Sequence, residues 1–378
     1  MKRFAIKLAL LTLMLPVSTY AQESGYYRLK NRDTERYLSI VDYHVDKSNI
    51  DRTTELYIYA LRTIKGFDKI ANDPGSVLYI EKTSNGYILK GQGFDTYSGT
   101  GIYLNLTEKN GGYTIWGTAT KSGVTATKYL RDADDEWYAG VGYITTDSNK
   151  STHWVWDLIP VSDAEGAYLG LKGDVNANGK YYTTFYASFP IRVGSGMKAY
   201  KITETNEGAA KLVNIGSEVP AQTGVVIECA GADASANKVT PITSTSADAS
   251  GNQLAGLYFC NITLDENDKE NPSDLNWNAT SFNKENMRLL GANSDGKLVF
   301  TSQTDTRYLP ANKAYLPVSS STAANLLVLG ESDYTGIRNV NANKKADDTI
   351  YTLTGSRANS KTLRPGIYIQ NGQKVVIK

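Results

Sequence analysis

The chain has 378 residues with 40 Lys+Arg against 39 Asp+Glu, long enough for two domains that each bury a core. A net charge of +1 lacks the basic excess that phosphate neutralisation requires, so no nucleic acid is expected as a partner. Two Cys and two His exclude zinc ribbons and fingers, whose sites take about four such ligands at fixed spacing.

Residues 1–21 read as a signal peptide. Lys2, Arg3 and Lys7 form a positive start, and Leu8 to Val17 form an apolar stretch far short of the roughly 20 residues a membrane span needs. Thr19 and Ala21 place small residues at −3 and −1, so cleavage is expected after Ala21. No Cys lies near that site, which argues against a lipid anchor, and no later run approaches a transmembrane segment. Loss of the three positive charges leaves the mature chain near −2. A secreted or cell-surface protein is expected.

The rest reads as all-β. Tyr occurs 26 times against 8 Phe, and Tyr, Val, Ile and Thr cluster in short runs between Gly, Asn and Asp turns. Such runs are Tyr26–Leu29, Val77–Ile80, Tyr87–Leu89, Tyr113–Trp116, Val225–Ile227 and Tyr315–Val318. Thr54–Ile64 is the best candidate for a helix.

Over residues 22–163 one unit recurs: a strand of alternating bulky residues, a turn, then a strand carrying Tyr-Leu. The pairs are Tyr37-Leu38, Tyr103-Leu104 and Tyr129-Leu130, and the stretch closes on Trp154-Val155-Trp156. The units begin near 27, 87 and 113, so an insertion lies between the first two. Three such units resemble the β-trefoil of the ricin-type lectin family, which implies sugar binding by an Asp that follows a comparable strand.

Residues 164–330 hold small polar loops between apolar strands. Val219-Pro220-Ala221-Gln222 and Leu309-Pro310-Ala311-Asn312 each precede an apolar strand, a repeat that suggests a β-sandwich-like domain with pseudo-symmetric halves. With Thr183–Ile202, these segments resemble a β-rich module of exported Bacteroidota proteins. Cys229 and Cys260 lie in strand-like runs. They are either buried inert thiols or a disulfide, which would close about 30 residues and stabilise by about 3 kcal/mol. Ala232–Asn252 reads as a solvated loop and 331–348 as a linker.

Residues 349–378 end in two alternating strands around Asn371-Gly372, a strong signal for a tight β-hairpin. This segment resembles the C-terminal sorting domain of type IX secretion. The resemblance implies contact with an outer-membrane secretion machinery; the plainer alternative is a hairpin that packs on the preceding domain.

No catalytic constellation is legible, so the chain is read as a non-enzyme. His44 and His153 lack the context of a triad, and no carboxylate pair for glycoside hydrolysis stands out. Asp174 to Gly179 copies the start of a calcium loop, but Phe185 stands where a bidentate acid is needed, so a turn is expected. The acids between Asp265 and Asp274 read as a solvated loop, and no metal or cofactor is expected.

Sugar binding needs an aromatic plate with an acid or amide at its rim. Asp132, Asp134, Trp137 and Tyr138 follow the third Tyr-Leu strand, Asp42 and Tyr43 follow the first, and Asp95 and Tyr97 lie within the second unit. The expectation is an exported, non-catalytic carbohydrate-binding protein with glycans as partners. The alternatives are a surface adhesin or structural protein that binds proteins, and behind it a glycoside hydrolase.

Overall fold

The structure, a computed structural model, describes residues 22–43, 59–93, 102–121, 124–135, 138–143, 153–206, 208–259, 280–334, 349–358, 363, 365–370 and 373–377. The expected signal peptide, 1–21, residues 335–348 of the expected linker and the run from Asp265 to Asp274 lie outside the described residues.

The first half supplies β1 (Gly25–Asn31), β2 (Arg36–Tyr43), β3 (Tyr59–Lys65), β4 (Leu78–Thr83) and β5 (Gly86–Lys90). It continues with β6 (Ile102–Lys109), β7 (Gly112–Lys121), β8 (Val124–Asp135), β9 (Tyr138–Tyr143) and β10 (Val155–Pro160). β1, β4, β5, β6, β7 and β10 close a ring in which each strand is antiparallel to the next. The pairs β2–β3 and β8–β9 leave it as hairpins.

Each Tyr-Leu strand pairs with the strand before it: β2 with β1, β6 with β5, and β8 with β7. Alternation sends every second side chain of a strand inward. Leu38, Leu104 and Leu130 from the Tyr-Leu strands therefore meet Leu29, Leu89 and Ile115 from their partners in one buried core. Burial of each such side chain contributes about 2 kcal/mol. Trp156 fills the same core, and its Nε1 donates to the Leu130 carbonyl at 3.0 Å.

The helix expected over Thr54–Ile64 is corrected: Tyr59–Ile64 belongs to β3, and 54–58 lies outside the described residues. Leu61 and Thr63 are buried while Arg62 and Ile64 are more exposed, the period of a strand. Among the described residues the α-helical element is α1 (Phe67–Ile70), a single turn. No helix there is long and apolar enough to cross a membrane.

The second half begins with β11 (Leu169–Gly170), β12 (Val175–Ala177), β13 (Lys180–Phe185), β14 (Ile191–Val193) and β15 (Lys198–Thr205). Then come β16 (Ala209–Gly216), β17 (Glu218–Val219), β18 (Val225–Cys229), β19 (Lys238–Pro241) and β20 (Ala255–Gly256). β21 (Met287–Ala292), β22 (Leu298–Thr301), β23 (Ala314–Pro317) and β24 (Asn325–Gly330) complete it. A small sheet, β11-β19-β14-β17, faces a long one, β12-β13-β18-β15-β16-β24-β22-β21-β23-β20.

The Pro-Ala repeat is structural. β13-β18-β15-β16 on one side of β24 mirrors β20-β23-β21-β22 on the other. Gln222 and Asn312, at the same place in the two repeats, are both left-handed with φ 56°. Their backbone N–H groups donate to Ala187 and Leu257 carbonyls at 2.8 and 2.9 Å. The Val225–Ile227 run is continuous because β18 is buried on both faces. Val225 and Ile227 point to the core under the small sheet, and Val226 points to a second core lined by both halves of the long sheet.

Two local readings change or sharpen. Ala232–Asn252 is not a continuous loop: Lys238–Pro241 forms β19, which places Val239 in the core. Asn178 and Gly179, both at positive φ, turn β12 into β13, so the Asp174–Gly179 motif is a hairpin, and Asp174 is ion-paired with Lys313 at 2.8 Å.

β25 (Ile350–Thr352), β26 (Arg357–Ala358), β27 (Gly366–Gln370) and β28 (Gln373–Ile377) form a separate sheet in the order β26-β25-β27-β28. Gln370 lies opposite Gln373, the register of a hairpin closed by the two residues between them. Tyr351, Leu353, Ile367 and Val376 are exposed on this sheet and its turn.

Candidate functional site

The acidic-aromatic positions read from the sequence separate. Asp132 is buried, 1% exposed, and its carboxylate accepts from the hydroxyls of Thr34 and Thr63. It is therefore a fold-holding acid and not the rim acid expected. Alternation could have shown this, since Asp132 stands two residues after the inward Leu130 on β8. The backbones of Asp134 and Tyr138 sit at the tip of the β8–β9 hairpin, and those of Asp42 and Tyr43 at the tip of β2–β3. The side chains of these four, and the whole of Trp137, Asp95 and Tyr97, lie outside the described residues.

Cys229 is a buried free thiol, and Cys260 lies outside the described residues. Burial pushes the Cys229 thiol up to about 12, so it stays protonated and inert.

The structure instead builds a cleft where the β1–β10 unit meets the β11–β24 unit. Buried contacts join the two. Arg28, with no exposed surface, donates to Ser76 Oγ at 2.9 Å and to the Tyr168 carbonyl at 2.8 Å, and its guanidinium lies 5.5 Å from the centre of the Phe67 ring. Burial pulls its pKa down to about 10, so it remains charged at neutral pH. The Gly170 N–H donates to the Ala71 carbonyl at 2.8 Å. Tyr258 and Phe259 of the second unit enter the core of the ring. Gly93 permits this, for it stands at φ 76° and a Cβ there would lie 2.5 Å from the Phe259 ring.

The cleft encloses about 380 Å³, within the range of small-ligand sites. One wall is Ser39 to Val41, Arg62, Ile64, Lys69 and Asn72 to Pro74; the other is Gly170 to Lys172, Asp174, Phe185 and Ala311 to Lys313. Two carboxylates line it, and both are engaged. Asp73 Oδ2 accepts from Ser39 Oγ at 2.5 Å, and its Oδ1 accepts from the Gly75 N–H at 2.8 Å, which caps the Pro74–Ser76 turn. Burial raises the Asp73 pKa above its ordinary 3.8, against the pull of Ser39, Gly75, Arg28 and Arg62. Asp174 is held by Lys313, whose ammonium also donates to Thr183. Asn72 lines the same space.

No cue in the sequence marks this site, because its residues come from several separated segments of both halves. Among the described residues no cluster of three or more His, Cys, Asp or Glu is placed to hold a metal. Comparison with family models, curated proteins and solved structures finds no match.

Proposed function

We propose that the chain is an exported, non-catalytic carbohydrate-binding protein whose saccharide sits in the cleft between the ring and the double-sheet unit. The observation that carries this reading is a polar cleft between the two bonded units, offering amide, hydroxyl and charged groups over an apolar floor of Ile40, Leu171, Phe185 and Tyr258. Saccharides need such partners because each buried hydroxyl must find a hydrogen bond. The engagement of Asp73 and Asp174 in the fold supports binding over hydrolysis, which needs a carboxylate pair available to the glycosidic bond. The closed six-stranded ring, with its two matched triplets of inward aliphatics, supports the trefoil-like reading.

Surface display through residues 349–378 belongs to the same proposal, and the separate sheet β26-β25-β27-β28 supports it. A protein-binding adhesin is the second reading. It draws on the exposed apolar side chains of that sheet, with Ile367 and Val376 paired across β27 and β28 at 51% and 67% exposure.

The test is a glycan array followed by calorimetry on the full chain, with two variants. Asn72→Trp fills the cleft and is expected to weaken any saccharide found by about tenfold or more. Tyr138→Ala at the hairpin tip is expected to leave affinity unchanged. The reverse pattern moves the site to the hairpin tips. Absence of saccharide binding at millimolar concentration removes the proposal.

A further inference from the structure

We infer that the cleft selects an anionic saccharide, one carrying carboxylate or sulfate groups, and that Lys69 and Lys172 clamp its charge from opposite walls. This rests on the reading that the cleft is the saccharide site. Arg62, Lys69, Lys172 and Lys313 line it against Asp73 and Asp174, a local excess of two positive charges in a chain of net charge +1. The pairings sharpen the excess. Lys313 is taken by Asp174 and Thr183, and the charge of Arg62 lies close enough to Asp73 to favour its carboxylate. Lys69 and Lys172 form no ion pair with any described residue.

Their placement matters as much as their charge. Lys69 stands on α1 in the first unit, and Lys172 follows β11 in the second. Both are exposed, and the two segments are tied by the Gly170–Ala71 backbone bond. Buried Arg28 adds a fixed positive charge behind Asp73. Low-dielectric walls concentrate such a field, so the cleft attracts an anion although the mature chain is expected to be slightly acidic.

Calorimetry on the full chain tests this with four probes: an oligogalacturonate, its methyl ester, a sulfated oligosaccharide and a neutral cello-oligosaccharide. The acid is expected to bind about tenfold or more tightly than its ester, as charge-assisted hydrogen bonds predict. The advantage should shrink as salt rises to about 0.5 M. The double substitution Lys69→Gln, Lys172→Gln should abolish the preference, bringing acid affinity down to that of the ester, while leaving the melting temperature unchanged. Binding of the sulfated probe alone keeps the anionic selection and assigns it to sulfate. Equal affinity for acid and ester overturns the inference and leaves saccharide binding standing; failure of all four probes overturns both.

Discussion

Asn312 Nδ2 donates to Gln92 Oε1 at 2.6 Å, joining two side chains 220 residues apart across the junction of the two units. Gln92 also donates to the Tyr258 carbonyl at 3.1 Å, and Asn312 to the Tyr186 carbonyl at 3.1 Å. Both side chains are almost fully buried, so each amide depends on the other. Gln92→Leu leaves the Tyr258 carbonyl and the Asn312 amide short of a partner. The expected cost is about 1–3 kcal/mol, read as a lower denaturation midpoint. An unchanged midpoint would mean that the bond contributes nothing to the junction.

Asp132 is predicted to matter for stability and not for ligand. Asp132→Ala removes the acceptor of the Thr34 and Thr63 hydroxyls inside the first unit. A loss of about 2 kcal/mol is expected in urea denaturation, with saccharide affinity unchanged. A stable variant that no longer binds saccharide would restore Asp132 to a ligand-contacting role.

Asp73 gives the pH signature. Its folded pKa is raised above the ordinary 3.8, so between 3.8 and the folded value the folded chain holds more proton than the unfolded one. Its contribution to stability is therefore present at low pH and lost as pH rises through the folded pKa. The stability difference between the native chain and Asp73→Asn should shift in favour of the native chain as pH falls from about 7 to about 4. Denaturation at several pH values checks this. The opposite slope would show that Ser39, Gly75 and the two arginines outweigh burial.

Much of the fold was legible because its signals are local. The Tyr-Leu pairs place Leu38, Leu104 and Leu130 in one core, and the Pro-Ala repeat places Gln222 and Asn312 in matching left-handed turns. The errors came where composition competed with pattern. Thr54–Ile64 has a helix-like spread of apolar residues, yet Leu61 and Thr63 follow the period of two. Lys238–Pro241 hides a strand in a polar context because its inward face is only Val239 and Pro241. Residues 349–378 hold the expected Gln370–Gln373 hairpin register, together with a second strand pair, Ile350 to Ala358, that turns at Gly355 with φ 80°.

The proposed cleft site was not legible for a different reason. Ser39, Arg62, Asp73, Lys172 and Lys313 are each ordinary surface or turn residues in sequence. They converge only because Arg28, Gln92 and Asn312 fix one unit against the other.

The most direct measurement is a crystal structure of the full chain soaked with the best saccharide from the array. Sugar density between Asn72 and Lys172 is the predicted result. Density at the β2–β3 or β8–β9 hairpin tips, with the junction cleft holding only solvent, would contradict the account.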